Sequence, residues 1–240
     1  MRSALVTGGS TGIGQSICQH LLDSGYRVIN VSRRPSSVEH EHLHNYSADL
    51  SDPAATTAVA AEIAAEHDIT DLVHNAGVIR PALLGSVEIA DLEMLTHLHI
   101  GAAIILVQAC LPALRASGSG RIVLISSRAA MGLETRTCYS ATKSGMIGMA
   151  RTWALELAAE GITVNVVAPG PIADTEMFHE VIPQHSEKMA QLANAIPVKR
   201  LGLPADVARA VQFFLAAENN FITGQTLFVC GGTSIGSLSL

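Results

Sequence analysis

The chain has 240 residues, of which 48% are hydrophobic and 15% charged, with a formal net charge of -6. That length suits one large domain with a sizeable core, and so few charges leave apolar surface for another subunit to cover. The acidic balance gives no electrostatic footprint for nucleic acid or anionic lipid.

An apolar stretch follows Met1 and Arg2 directly, without the regions of a secretory leader, and Gln108 and Pro112 interrupt the longest apolar run. Cys18, Cys110, Cys138 and Cys230 are scattered, with no CxxC pair. A reduced, cytoplasmic protein with no membrane partner is therefore expected.

Strand-like and helix-period stretches alternate along the chain. SALVTGG (3–9) reads as a buried strand running into glycines, and residues 13–25 carry helical spacing at Ile13, Ile17, Leu21 and Leu22, closed by Gly25. A second strand is predicted over 26–32. A helix over 52–67 follows, with Asp52 as cap and Pro53 at its first position. Next come a strand over 70–77, a long helix over 88–115, a strand over 121–127, and a helix from Tyr139 to Glu160. A strand over 162–170, a helix from Pro204 to Ala217 and a strand in GQTLFVCGG complete the series. Apolar strands with helices between them imply a parallel sheet covered on both faces, an α/β fold forming one domain over 1–240. Residues 171–203, with Pro171, Pro183 and Pro197, lack periodicity. A loop that long is usually functional, and it reads as a lid presenting Met177, Phe178, His179, Val181 and Ile182 to a mostly apolar pocket.

Four features bear on chemistry. TGGSTGIG (7–14) joins the first strand to the first helix, where Gly8, Gly12 and Gly14 make either a plain tight turn or a seat for a pyrophosphate at the helix N-terminus. The spacing is G-x-x-x-G-x-G, half of the usual dinucleotide fingerprint. The second strand ends in Ser32, Arg33 and Arg34, where an acid would bind a ribose hydroxyl and an arginine a 2′-phosphate. Ser126 and Ser127 end the strand at 121–127, as turn caps or as donors to a carbonyl oxygen. YSATK puts Lys143 four residues after Tyr139, on one helix face. A phenol is a poor base at neutral pH unless a neighbouring cation favours its anion. Tyr and Lys also occur at this spacing by chance. His40, His42 and His44 could share one strand face or lie in a solvated loop, and without a fixed ligand set no metal is expected.

In this order and on these elements, with NAG at 75–77, NVVAPGPIADT at 165–175 and GQTLFVCGG near the end, the features resemble the short-chain dehydrogenase/reductase family over nearly the whole chain. The resemblance implies a Rossmann-type doubly wound sheet and hydride transfer between a nicotinamide and a small carbonyl or secondary-alcohol substrate. It makes Tyr139 the general acid or base, Lys143 the residue that tunes it and holds the nicotinamide ribose, and Ser127 the ligand of the substrate oxygen. Ser127 is preferred to Ser126 on the assumption that the following loop is one residue short. Gly8, Ser10, Thr11, Gly12, Ile13 and Gly14 would carry the pyrophosphate, Asp49 and Leu50 the adenine, and Asn75, Ala76 and Gly77 the adenosine side. Pro169, Gly170, Ile172 and Thr175 would carry the carboxamide, with one extra residue before Thr175. Arg33 implies that NADP(H) is preferred, although the glycine turn lacks the second basic residue of some NADP enzymes, so NAD(H) remains open. His99 takes the place of an asparagine in the family pattern and is expected within water-bridged reach of Lys143, the alternative being a core histidine. In the terminal V-x-GG the common aspartate is Cys230, read as a packing difference. The apolar helices over 98–115 and 144–160 imply a homotetramer. An NAD-linked alcohol dehydrogenase and a non-catalytic dinucleotide-binding scaffold are the competing readings.

Overall fold

Runs of valine, isoleucine and leucine with no polar alternation form strands that must be covered on both faces. In the computed structural model, which describes residues 1–179 and 186–236, this is their environment. The strands are β1 (Ser3–Thr7), β2 (Arg27–Ser32), β3 (Leu43–Ser47), β4 (Asp71–His74), β5 (Arg121–Ile125), β6 (Thr163–Pro169) and β7 (Thr226–Val229). They form one sheet in the order β3-β2-β1-β4-β5-β6-β7, with every pairing parallel. Every residue of β1, β4, β5 and β6 is buried.

The helices are α1 (Gly12–Asp23), α2 (Pro53–Glu66), α3 (Ile89–Thr96), α4 (Ala102–Ala116), α5 (Thr137–Leu157), α6 (Glu176–His179), α7 (Glu187–Ala195) and α8 (Pro204–Leu215). One face of the sheet is covered by α1 and α8. The other is covered by α2, α4 and α5. This is the doubly wound α/β fold, and the strand order reverses between β1 and β4, where such sheets open a crevice at their carboxyl ends. The predicted start of α2 is exact: Asp52 Oδ1 accepts hydrogen bonds from the amides of Ala54 and Ala55, ahead of Pro53.

Three expectations need correction. The helix over 88–115 is not uniform, because a π-turn at His97–Gly101 separates α3 from α4. Seven strands form where six were predicted. The extra one, β3, is a partly exposed edge strand of sequence LHNYS that takes in His44. Residues 171–203 are not wholly irregular, since α6 and α7 lie within them. Val181 and Ile182 lie outside the described residues.

The composite helix Ile89–Ala116 is long and apolar enough, by length and composition, to cross a membrane, despite Gln108 and Pro112. Here its Leu95, Ala103, Leu106 and Leu114 are fully buried in the protein core.

Candidate active site

Each β-strand of the central four ends at the same edge, so short side chains following them meet in one place. A cavity of about 710 Å³ runs along that edge, and every predicted site residue except His99 lines it. That volume lies within the usual range of small-molecule and cofactor sites. At its floor Gly8 has φ +69°, and a side chain at Gly14 would meet the Gly8 carbonyl oxygen at 2.0 Å. Only glycine lets the turn close this tightly onto the start of α1. Asn75 fixes the turn from the next strand, its Nδ2 donating to the carbonyls of Thr7 and Gly8 at 3.1 and 3.2 Å.

The two strand-end serines separate in role. Ser126 is fully buried and donates to the Lys143 carbonyl at 2.7 Å, pinning α5 to the sheet. Ser127 lines the cavity together with Tyr139, and its Oγ accepts from the Ala129 amide at 3.1 Å. Burial raises the Tyr139 pKa above the ordinary phenol range, opposed by the Ser127 hydrogen bond and the charge of Arg136. Lys143 Nζ donates to the Ile125 carbonyl at 2.7 Å and stands 5.7 Å from the centre of the Tyr139 ring. Its burial pushes its pKa down to about 7, because an ammonium loses its hydration there. The amine is therefore poised between its two protonation states at neutral pH.

His99 lies behind Gly77, wholly buried, with its ring edge-on to Tyr139 at 5.6 Å. Its Nδ1 is 2.9 Å from Thr142 Oγ1. The Thr142 hydroxyl proton has the carbonyls of Cys138 and Tyr139 at 3.1 Å, which leaves its lone pair for an Nδ1–H of His99. Nε2 is then the bare acceptor, with no hydrogen-bond partner among the described residues. A Cβ built on Gly77 would lie 2.9 Å from that nitrogen and 3.4 Å from Lys143 Nζ, so both face the same small space. Beside it His74 joins two layers: the Thr7 hydroxyl, which accepts from the amides of Asn75 and Ala76, donates to Nδ1, and Nε2–H donates to the Leu98 carbonyl.

At the other end of the cavity Ser51 holds the Asp49 carboxylate, keeping its pKa low with help from Arg33. Arg33 and Arg34 both line this end. Arg34 makes a two-pronged ion pair with Glu176, at 2.7 and 2.9 Å, across the cavity mouth. The chain turns left-handed at Asp174, φ +57°, and Thr175 then packs over Gly12. Met177, Phe178 and Leu192 complete the apolar wall.

His40, His42 and His44 do not gather: His40 stacks near His42, while His44 faces His67. Among the described residues no group of three or more histidine, cysteine or acidic side chains is placed to hold a metal ion. The sequence reading missed Arg80, Arg128 and Arg136, which line the cavity near Ser127 and Tyr139. Nothing in their spacing marks them, because only the fold brings them together.

Comparison with known proteins places this geometry. Residues 8–234 match the family model described as enoyl-(acyl carrier protein) reductase. The chain is 33% identical over 244 residues to the (2S)-[(R)-hydroxy(phenyl)methyl]succinyl-CoA dehydrogenase subunit BbsD of Thauera aromatica, covering 98% of this chain and 97% of the relative. It is 34% identical over 239 residues to the 3-oxoacyl-[acyl-carrier-protein] reductase FabG of Salmonella typhimurium, covering 95% and 96%. A blue fluorescent protein from a metagenomic library, solved in complex with NADPH, superposes with a TM-score of 0.84 at 31% identity, covering 96% of this chain and 97% of that one. The fold and its cleft thus define a nicotinamide-dependent oxidoreductase. The chain belongs to the short-chain dehydrogenase/reductase family.

Proposed function

We propose that the protein is an NADP-preferring reductase or dehydrogenase acting on a small carbonyl or secondary-alcohol substrate, with Tyr139 moving the proton on the substrate oxygen. The observation that carries this is the meeting of Ser127, Tyr139 and Lys143 in one cavity with the glycine turn and the arginines after β2. The site residues fit a dinucleotide. The cradle at Gly8 and Gly14 has no room for a Cβ, the amides of α1 face it, and Arg33 stands where a 2′-phosphate needs a cation. Gly8, Ser10, Thr11, Gly12, Ile13 and Gly14 would hold the pyrophosphate. Asp49 and Leu50 would hold the adenine, and Asn75, Ala76 and Gly77 the adenosine side. Pro169, Gly170, Ile172 and Thr175 would hold the carboxamide. When bound, the nicotinamide supplies the hydride.

The chain's own residues supply position and the proton. Ser127 Oγ lines the same cavity as the Tyr139 phenol and is a donor for the substrate oxygen. Burial keeps Tyr139 protonated at neutral pH, which suits it to give a proton to a carbonyl oxygen. Lys143, near its own midpoint, can return that proton, and the bare Nε2 of His99 offers an acceptor facing it. Residues 171–203 act as a lid through Met177 and Phe178. The free, buried cysteines accord with a reducing, cytoplasmic setting. Leu155, 85% exposed on α5, supports burial against a second subunit of a homotetramer.

The test is an NADPH absorbance assay over a panel of carbonyl compounds, run in both directions. Tyr139→Phe is expected to lose about 10²–10⁴-fold in kcat, the usual worth of a positioned acid. Full activity in that variant would overturn the mechanism.

A further inference from the structure

The cavity is electrically divided. Asp49 and Glu176 are the only acids lining it among the described residues, and both belong to the end where Arg33 and Arg34 lie. The end built from the segment after β4, β5, the 3-10 turn at residues 128–131 and the start of α5 carries Arg80, Arg128 and Arg136 instead. Arg80 is neutralised by Asp91 at 3.4 Å. Arg136 is half-buried at the N-cap of α5, three residues before Tyr139, and among the described residues its guanidinium bonds only Thr135, to Oγ1 at 2.5 Å and to the carbonyl at 3.4 Å. Among the described residues the Arg128 guanidinium has only the Thr233 carbonyl, at 3.5 Å. A backbone bridge between Ala82 and Arg136 holds the two segments side by side, and the neighbouring Ile79, Ala129, Tyr139 and Met177 form one apolar cluster. So a chain of net charge -6 places two half-buried cations, without acid partners among the described residues, in the cavity of its reactive phenol, and the charge of Arg136 acts on that phenol directly.

A neutral substrate filling this space would strip water from both guanidiniums and leave them uncompensated, which is costly. An anionic oxygen group would meet them with charge-assisted hydrogen bonds. We propose that the substrate is an oxo compound bearing an anionic group, received by Arg136, with Arg128 lining the same cavity. The anion is either a carboxylate of a small oxo acid or a phosphate of the carrier of an oxoacyl thioester. This rests on the hydride-transfer reading of the same cavity.

The test compares acetoacetate, acetoacetyl-CoA and the uncharged methyl acetoacetate as substrates with NADPH, for the wild type, Arg136→Gln, Arg136→Lys and Arg128→Gln. Arg136→Gln also removes a charge that acts on Tyr139 with every substrate, so the readout is a ratio: kcat/KM for an anionic substrate relative to methyl acetoacetate is expected to fall about 10²-fold, the scale of a broken buried charge pair, and Arg136→Lys to recover part of it. Loss on acetoacetate assigns the anion to a carboxylate, and loss confined to acetoacetyl-CoA assigns it to the carrier. Equal losses on the neutral ester, or none on either anion, would overturn the proposal. A binding arm needs no turnover: butyrate and methyl butyrate are compared by ligand-observed NMR. Butyrate bound by the wild type and lost in Arg136→Gln, with no carbonyl compound reduced, would leave the anion site standing and sink the hydride-transfer reading. Equal binding of butyrate and its ester would rule out the carboxylate, and with acetoacetyl-CoA turnover also unchanged in Arg136→Gln it would sink the anion site itself.

Discussion

His99 and His74 are two imidazoles sealed beneath the reactive phenol, and both are held neutral. Desolvation depresses the His74 pKa to about 3, with the nearby Lys143 charge adding to it. The same two causes in the same order, with His74 as a third, depress His99 further. An unfolded histidine takes up a proton below about pH 6.5, so below that value the unfolded chain binds more protons than the folded one. Stability contributed by the neutral rings is therefore complete above pH 6.5 and falls as the pH drops, each ring adding up to about 1.4 kcal/mol per pH unit. His99→Asn removes one of the two. Urea unfolding between pH 6 and 4.5 is expected to show a slope smaller by up to that amount. An unchanged slope would mean that His99 is already protonated in the folded protein. The test separates the histidine from the carboxylates, because those titrate alike in both proteins.

At the scale of elements, the π-turn between α3 and α4 matters most. A wide turn of helix frees a carbonyl from its usual ladder, and the Leu98 carbonyl next to His99 is the one that His74 Nε2–H reaches at 3.1 Å. His74→Leu would leave that buried carbonyl without its donor and the Thr7 hydroxyl without its acceptor. It is expected to destabilise the protein by about 1–3 kcal/mol, read by chemical unfolding. It should also lower kcat, since Leu98 and His99 share the turn. None of this could be read in THLHIGAAIILVQ, because a π-turn has no compositional mark. Asp52 and Pro53 did announce α2, since a cap is a local chemical event. Strand β3 was hidden for the opposite reason: LHNYS is mostly exposed at a sheet edge, so it shows neither a buried run nor alternation. The glycine turn, Ser127, Tyr139 and Lys143 were visible because each sits at a fixed offset on its own element. Arg128 and Arg136 were not, since their meaning depends on which segments the sheet brings side by side.

Across the whole molecule, the cleft separates the half built on β1 to β3 from the half built on β4 to β7, and Arg34 and Glu176 join the two rims. Both side chains are more than half exposed. An ion pair of this kind contributes only about 0–1 kcal/mol to folding, so its removal should leave the unfolding midpoint nearly unchanged. Its effect belongs to the cofactor. With NADP(H) in the cleft, a 2′-phosphate would seek the same guanidiniums, and the Glu176 carboxylate would compete with it for Arg34 and repel it at short range. A 2′-hydroxyl, as in NAD(H), meets no such competition. Glu176→Gln is therefore expected to tighten NADPH several-fold while leaving NADH almost unaltered. The gain should shrink in high salt, because an exposed charge contact is screened. Titration of both reduced cofactors by fluorescence, at low and high ionic strength, provides the measurement. In an Arg34→Ala background the same substitution should have little effect. A gain that persists there, or equal changes for NADPH and NADH, would show that Glu176 acts through the lid and not through the phosphate.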